Sequence, residues 1–241
     1  AFLLLPACAL APTTRGPLRP LAAAALPGNA ASRVDEREND SDDAATQPGS
    51  LSPPGAERQP HPWEELSDDA LEQKFLSEPD SLGPLSLGNP SSGALLGGDV
   101  MPSGEHWEVV NPSESWGTPE TIAYLSRCIQ SVTEQFADTP RLPIGDLSRP
   151  AGGFLAPHVS HQSGRDVDVG YYYTTPDIWY THATASNLDL PRTWAFVKAL
   201  LTLSDVELIF IDRSIQKHLR EHAHAIGEAP GWLAAVFGGS S

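Results

Sequence analysis

Residues 157–170 read PHVSHQSGRDVDVG, so two histidines, His158 and His161, come shortly before two aspartates, Asp166 and Asp168. Neutral imidazole and carboxylate are the usual protein ligands of a catalytic Zn²⁺ whose site contains no thiolate. The spacing between His161 and Asp168 leaves room for one turn and the start of a strand. The run therefore indicates a metal site. The spacing alone leaves one alternative open, a solvated strand edge with unrelated histidines.

The order of residues within this run also predicts its local geometry. Residues 166–169 alternate aspartate and valine, so a strand would turn both carboxylates to one side and both valines into a core. Gly164 can adopt a positive φ, which would let the chain double back and bring His161 over Asp168. We therefore expect the aspartates to line a cleft beside His161.

Two roles remain open for the neighbouring side chains. His158 is expected either to bind the metal or to orient another ligand from outside the coordination sphere. A Ser160-His161-Asp168 triad is a second interpretation of the same residues, because triads are recognised by geometry and not by chain order. It is the weaker one, since no G-x-S-x-G elbow surrounds Ser160 and adjacent side chains diverge in an extended segment.

Charge and length limit the classes of function. The chain has 241 residues, with 15 Lys and Arg against 31 Asp and Glu, for a net charge of −16. A strongly acidic chain lacks the basic face that nucleic-acid binding needs, and it is not suited to electrostatic docking on anionic membranes. The length predicts one domain with additional material. Nothing in the sequence specifies an oligomeric state.

The first residues resemble the end of an export signal. Residues 1–12 begin with a short apolar run that is too short to span a bilayer. Leu5-Pro6-Ala7-Cys8 is loosely similar to a lipobox, so a lipid anchor at Cys8 is one expectation and an apolar signal fragment is the other. We therefore expect an exported protein of the periplasm or cell envelope, without a transmembrane span.

The chain divides into two parts by composition. Residues 13–104 are rich in Pro, Gly, Ser and acidic residues, and we expect a disordered linker there, with a short transient helix over 63–76. Residues 105–241 are expected to form the folded domain. Cys128 lies in a helical pattern and is predicted to be a small buried residue.

The folded part alternates helices and strands without a Gly-rich phosphate loop. Helices are predicted over 118–136, 191–203, 214–226 and 231–237, and strands over 106–110, 142–148, 165–173 and 206–212. We therefore expect an α+β fold, with a small antiparallel sheet and flanking helices, preceded by the long disordered N-terminal region.

The histidine–aspartate block resembles the signature of the penicillin-insensitive murein endopeptidases, which are grouped with lysostaphin, D-Ala-D-Ala peptidases and hedgehog domains. Blocks 145–150, 188–194 and 209–216 are similar to the same family, and the resemblance covers roughly residues 105 to 237. It implies that His161 and Asp168 bind Zn²⁺, with His158 a further ligand or a catalytic histidine. It also implies hydrolysis of D-alanyl–diaminopimelate cross-links, with peptidoglycan stem peptides as the substrate.

One departure from the family concerns its C-terminal H-x-H segment, which supplies a third ligand and a catalytic histidine. His222-Ala223-His224 is not that segment, because it lies in a helical pattern where side chains two apart diverge. The resemblance thus implies a domain truncated at its C-terminus. The alternative function is a catalytically incomplete cell-wall-binding or zinc-binding module.

Overall fold

The structure is a computed structural model that describes residues 2–4, 63, 65–175 and 181–238. Its strands are β1 (Phe2–Leu4), β2 (Leu85–Asn89), β3 (Ser92–Leu96), β4 (Asp99–Val100), β5 (Trp107–Val109), β6 (Trp116–Gly117), β7 (Leu142–Ile144), β8 (Asp166–Asp168) and β9 (Leu208–Phe210). Its helices are α1 (Asp68–Ser77), α2 (Pro119–Gln135), α3 (Leu190–Leu203), α4 (Arg213–Ala225) and α5 (Pro230–Val236).

The strand that carries the two aspartates belongs to a three-stranded antiparallel sheet in the order β8-β1-β9. Phe2 of the central strand pairs with Asp168 on one side and with Phe210 on the other. Strands β2 and β3 form a hairpin, β4 pairs with β6, and β5 runs parallel to β7. The predicted α+β class with small antiparallel sheets and flanking helices is confirmed, and the parallel pair is an addition.

Helix α2 forms where a helix is predicted over 118–136, and Thr118-Pro119 is the sequence signal for its start. Thr118 lies at the N-cap, where its hydroxyl accepts a hydrogen bond from the backbone N–H of Thr121 at 3.2 Å, and Pro119 occupies the first turn. Its buried face includes Leu125, Cys128, Ile129 and Val132, at the spacing of one helical side. This face packs with α3 and with Val167 of β8 in a common core. The prediction that Cys128 is buried is confirmed.

Helix α4 forms where it was predicted, but its buried face differs by one position. Ile215, Leu219 and Ala223 are buried, whereas His222 is half-buried and Ile226 is exposed. The helical spacing of residues 214–226 instead predicts one face made of Ile215, Leu219, His222 and Ile226, which is wrong for His222 and Ile226. Small Ala223 continues the i, i+4 series instead, since a methyl group fits against α5 more closely than an imidazole.

The assignment of residues up to 104 to a disordered linker is wrong for residues 85–100, which form strands β2, β3 and β4, with Leu85 and Leu95 buried in the fold. The short helix predicted over 63–76 forms as α1. Pro90 and Ser91 form the turn of the β2–β3 hairpin, and Gly88, inside β2, has a φ of 73° that glycine adopts readily. Composition alone could not separate a turn-rich hairpin from a linker, because both use the same residue types.

The remaining N-terminal predictions are not tested. Cys8 and residues 13–62 lie outside the described residues. Residues 2–4, which the sequence assigned to the remnant of an export signal, form the central strand β1, and the signal assignment stays a prediction. Among the described helices, none combines the length and the apolar character that a membrane crossing requires.

Candidate metal centre

The histidine–aspartate block folds into a tight turn followed by strand β8. His161 has a φ of 62° and Gly164 a φ of 68°, so two left-handed residues reverse the chain within four positions. A Cβ atom at Gly164 would lie 2.9 Å from Leu95 Cδ2 and 3.1 Å from Gly117 Cα. Glycine is therefore required at position 164 both by its backbone angle and by the space around it. The predicted role of Gly164 in bringing His161 to Asp168 is confirmed.

Strand β8 separates its side chains as the alternation predicts. Val167 and Val169 are buried in the hydrophobic core, whereas Asp166 and Asp168 both turn toward His161. Asp166 is only 2% exposed and Asp168 is 9% exposed. The two carboxylates share a side, but Asp168 is the more accessible of the two, and Asp166 lies deeper in the protein.

Each ring nitrogen of His161 has a different neighbour. Nδ1 lies 3.0 Å from the carbonyl oxygen of Leu147, and Nε2 lies 3.4 Å from Oδ1 of Asp168. A carbonyl oxygen can only accept a hydrogen bond, so we assign the proton of the neutral ring to Nδ1. Nε2 then directs a lone pair toward a carboxylate oxygen, an arrangement that a cation between the two atoms would stabilise.

The electrostatics of His161 agree with that assignment. Burial lowers the pKa of His161, but the nearby Asp168 carboxylate and the charge of Asp166 outweigh burial, so the pKa is raised. Burial also raises the pKa of Asp166, in part offset by His161. The pocket thus favours a positive charge next to Nε2, whether a proton or a metal ion supplies it.

Asp166 fixes the backbone of His161 as well. Its Oδ2 accepts the backbone N–H of His161 at 2.8 Å and lies 3.3 Å from Nδ1 of the ring. A left-handed conformation is unusual for a residue with a side chain, and this hydrogen bond stabilises it. Asp166 is therefore a support for the turn, while Asp168 faces Nε2 of the ring.

His158 completes a cluster of three possible ligands. Its Nδ1 lies 3.9 Å from Oδ2 of Asp168, and its ring meets that of His161 edge to face, with centroids 4.8 Å apart. One ligand atom from each of His158, His161 and Asp168 lies within 4.8 Å of the others. The structure thus brings all three predicted site residues together.

The spacing and the chemistry of these atoms fit a divalent metal ion. Two ligand atoms bound to one tetrahedral Zn²⁺ at about 2.1 Å lie about 3.4 Å apart. The separation of His161 Nε2 and Asp168 Oδ1 matches this value, and that of His158 Nδ1 and Asp168 Oδ2 is slightly larger. Oδ1 of Asp168 is buried and accepts no regular hydrogen bond within the part of the chain that the structure describes. A cation there would satisfy it.

The structure adds Asp146 and Asn111, which sequence reasoning did not place in the site. Oδ2 of Asp146 lies 3.2 Å from His158 Nε2, and Asn111 Nδ2 donates to Oδ1 of Asp146 at 3.0 Å. Asp146 belongs to the block 145–150 that carried part of the family resemblance, and this was the available signal. Asn111 had no comparable signal, since its contact joins residues that are distant in the chain.

Other candidates take different positions. The triad interpretation is not supported, because the two ring nitrogens of His161 face Leu147 and Asp168, while Ser160 forms a hydrogen bond with Asp166. From the sequence, Arg165 is expected to be either a solvated charge or a contact for a substrate carboxylate. Both expectations are wrong, because Arg165 is buried and its guanidinium donates to the Gly88 carbonyl at 2.6 Å.

The sequence also offers an aromatic cluster, Tyr171–Tyr173 with Trp179 and Tyr180, as a substrate groove, and Asp177 with His182 as a second metal site, but the structure describes both only in part. Tyr172 is buried in the core and so cannot line a groove. Asp177, Trp179 and Tyr180 lie outside the described residues. A second metal at Asp177 and His182 therefore stays a prediction.

Comparison with known proteins matches residues 86–199 to the family model of penicillin-insensitive murein endopeptidase. Proteins named penicillin-insensitive murein endopeptidase from Escherichia coli O139:H28 (strain E24377A / ETEC), Escherichia coli (strain K12 / DH10B) and Shigella boydii serotype 18 (strain CDC 3083-94 / BS512) are each 28% identical to this chain over 172 residues. Each match covers 63% of this chain and 60% of the relative. The chain thus spans less than two thirds of the length of these curated relatives.

The matched region begins before residue 105, in agreement with the strands found in 85–100. It contains His158, His161, Asp168 and Asp146. The resemblance carried by the histidine–aspartate block is therefore confirmed: residues 86–199 are similar to the penicillin-insensitive murein endopeptidase family.

Proposed function

We propose that this protein is a zinc-dependent endopeptidase that hydrolyses peptide cross-links of the D-alanyl–diaminopimelate type in bacterial peptidoglycan. It would act in the periplasm or elsewhere in the cell envelope. One observation carries the proposal. Within the region matched to the family, a buried imidazole nitrogen and a buried carboxylate oxygen face each other at 3.4 Å, with His158 beside them.

The residues that would hold the ion are His161, Asp168 and His158. His161 would bind through Nε2, because its Nδ1 is engaged by the carbonyl oxygen of Leu147. A bound Zn²⁺ would supply Lewis acidity toward the scissile carbonyl and would lower the pKa of a water molecule to about 7. The imidazole and carboxylate donors fit this ion better than Mg²⁺ or Ca²⁺, which prefer sites made only of oxygen.

The exposure of the three residues indicates the direction of substrate approach. His161 is fully buried, whereas the side chains of His158 and Asp168 are 17% and 13% exposed. Substrate would therefore reach the cluster from the side of His158 and Asp168. Val159, next to His158, is 78% exposed and lies where a stem peptide would approach. The buried side of the cluster excludes water and strengthens its electrostatic interactions.

The proposal is tested by digestion of defined muropeptide dimers with the complete gene product that contains these 241 residues, loaded with one equivalent of Zn²⁺. Mass spectrometry should detect monomers with a newly freed D-alanine carboxylate and a newly freed diaminopimelate amine. The product should vanish in His161→Ala and in the presence of a chelator, and it should return when Zn²⁺ is restored. As a matched control, His218→Ala removes a histidine of helix α4 outside the cluster and should leave product formation unchanged.

The alternative function, a cell-wall-binding or zinc-binding module, gives a different result in the same experiment. A chain that binds Zn²⁺ and sediments with peptidoglycan, but forms no monomers after prolonged incubation, would contradict the endopeptidase proposal and support the module. Product formation that is equal in His161→Ala would also contradict the proposal, because the reaction would then not depend on the cluster.

A further inference from the structure

The two ring nitrogens of His158 face two different carboxylates. Nε2 lies 3.2 Å from Oδ2 of Asp146, and Nδ1 lies 3.9 Å from Oδ2 of Asp168. The first distance is within hydrogen-bonding range, whereas the second leaves room for an ion between the atoms. His158 therefore lies between Asp146 on one side and the proposed metal site on the other.

Asp146 is itself held in place from three directions. Its Oδ1 accepts a hydrogen bond from Asn111 Nδ2 at 3.0 Å. Its carbonyl oxygen accepts the backbone N–H of Asp168 at 2.9 Å, and the adjacent Gly145 N–H donates to the carbonyl of Asp168 at 2.7 Å. The backbone of residues 145 and 146 is thus hydrogen-bonded to that of Asp168, a proposed metal ligand, which holds the two acids in a fixed relation.

We infer that Asp146 is a positioning residue: it accepts the Nε2–H of His158 and so fixes Nδ1 as the atom that faces the metal. This inference rests on the proposed metal site. An ionised carboxylate accepts hydrogen bonds and donates none, so a partner at Nε2 selects the tautomer with its proton on Nε2. Carboxylates that hold the outer nitrogen of a histidine ligand fix its ring orientation and raise its basicity.

The tautomer decides between the two roles that the sequence left open for His158. A neutral ring with its proton on Nε2 presents a lone pair at Nδ1, which can bind a cation. It cannot donate a hydrogen bond from Nδ1 to the oxygen of a tetrahedral intermediate. His158 is thus a metal ligand through Nδ1, and oxyanion stabilisation must come from another group.

Asp146 is not an additional ligand. The groups that can reach one ion comprise His158, His161 and Asp168 among the residues that the structure describes, and Asp146 is outside that set. The same pattern occurs at His161, where the Leu147 carbonyl holds the nitrogen that faces away from the cluster. Each histidine therefore has an outer acceptor and an inner nitrogen, the arrangement expected for two rings oriented toward one ion.

The experiment measures the tautomer directly. Long-range ¹H–¹⁵N spectra of the full chain with ¹⁵N-labelled histidine should show the His158 proton on Nε2, with and without Zn²⁺, and the metal-induced shift on Nδ1. Asp146→Ala should remove the preference for Nε2–H. It should also weaken Zn²⁺ binding about 10- to 100-fold, measured by competition with a chromophoric chelator.

Three further variants separate positioning from a general loss of structure. Asp146→Asn keeps an acceptor for Nε2–H and should lose less affinity than Asp146→Ala. Asn111→Ala removes the hydrogen bond to Oδ1 of Asp146 but keeps the Asp146 carboxylate. It should therefore weaken the tautomer preference and the Zn²⁺ affinity less than Asp146→Ala does. Asp205→Asn changes a half-buried acid that binds Tyr124, outside the cluster, and should leave the Zn²⁺ affinity unchanged.

Each result counts for or against the inference. Zn²⁺ bound through Nε2 of His158, or an unchanged tautomer and affinity in both Asp146 variants, would overturn it while leaving the proposed metal site intact. An unsubstituted chain that binds no Zn²⁺ would overturn the proposed function, and this inference with it. If Asp146→Ala does not fold, the tautomer and affinity of Asp146→Asn and Asn111→Ala decide the question.

Discussion

Replacement of Gly164 by alanine tests whether the tight turn holds His161 over Asp168. The residue has a φ of 68°, and a Cβ atom there would meet Leu95 Cδ2 at 2.9 Å and Gly117 Cα at 3.1 Å. The Leu95 side chain can shift to relieve the first contact. The second contact is with backbone, so the turn itself must move by a few tenths of an ångström.

Two effects lower the free energy of unfolding of this variant, and a third partly offsets them. A left-handed conformation costs a residue with a Cβ atom about 1–2 kcal/mol relative to glycine. Crowding in a packed interior adds about 1–3 kcal/mol. Alanine also reduces the conformational freedom of the unfolded chain, which raises the free energy of unfolding by about 0.4–1 kcal/mol. We therefore expect Gly164→Ala to lower the free energy of unfolding by about 2–4 kcal/mol.

Gly227→Ala is the matched control for the backbone term. Gly227 also has a positive φ, 93°, but a Cβ atom there would meet nothing within 4 Å. It follows the end of helix α4 and is not part of the His158, His161 and Asp168 cluster. Its substitution should therefore lower the free energy of unfolding by only about 1 kcal/mol. Urea unfolding of the two variants and the unsubstituted chain measures the difference, and chelator competition measures the accompanying change in Zn²⁺ affinity.

The two variants should differ both in stability and in Zn²⁺ affinity. Gly164→Ala should be the less stable variant and should bind Zn²⁺ more weakly, whereas Gly227→Ala should keep the affinity of the unsubstituted chain. If Gly164→Ala is no less stable than Gly227→Ala, or if its Zn²⁺ affinity is unchanged, the turn does not set the distance between His161 and Asp168.

Three more substitutions test separate parts of the account. Asp166→Ala removes the acceptor of the buried His161 N–H and should lower the free energy of unfolding by about 1–3 kcal/mol, with Asp166→Asn losing less; equal losses in urea unfolding would contradict this role. Arg165→Met removes the hydrogen bond to the Gly88 carbonyl, so proteases should cleave the β2–β3 hairpin before the rest of the domain. Arg165→Lys should have a smaller effect, and simultaneous cleavage elsewhere would contradict this role of Arg165. Burial raises the pKa of the Cys128 thiol to about 12. In a Cys8→Ser chain at pH 8, alkylation of Cys128 should therefore be slower by on the order of a thousandfold when folded than when unfolded, and equal rates would show an accessible thiol.

The short-range part of the site could be predicted because it depends on neighbours in the chain. The alternation in residues 166–169 fixed which side chains enter the core, and Gly164 marked the reversal that brings His161 to Asp168. The N-cap of α2 and the helical spacing of its buried residues were equally local signals. Each of these features involves a period or a cap that a few residues define.

The parts that were missed depend on contacts between distant segments. The Asn111–Asp146 bond and the Arg165–Gly88 bond join residues 35 and 77 positions apart, and no local pattern specifies either pairing. Arg165 is buried because the hairpin covers it, so its burial could not be predicted while residues 85–96 were assigned to a linker. One error in that segment therefore led to the other.

The helix α4 prediction shows a further limit of periodicity. Ile226 fits the apolar series of its helix by spacing but is 58% exposed, because it lies at the C-cap where the chain turns away from the core. Ala223 is buried in its place although alanine carries a weaker apolar signal. The end of an amphipathic stripe is set by the neighbouring element, here α5, and not by the stripe alone.

The central claim is that His158, His161 and Asp168 bind one zinc ion, and anomalous X-ray scattering tests it most directly. Crystals of the Zn²⁺-loaded chain measured on both sides of the zinc absorption edge should give one strong difference peak. That peak should lie between His158 Nδ1, His161 Nε2 and the Asp168 carboxylate, and it should be absent from crystals of His161→Ala. A peak bound by other residues, or no peak at this cluster at full zinc loading, would contradict the account.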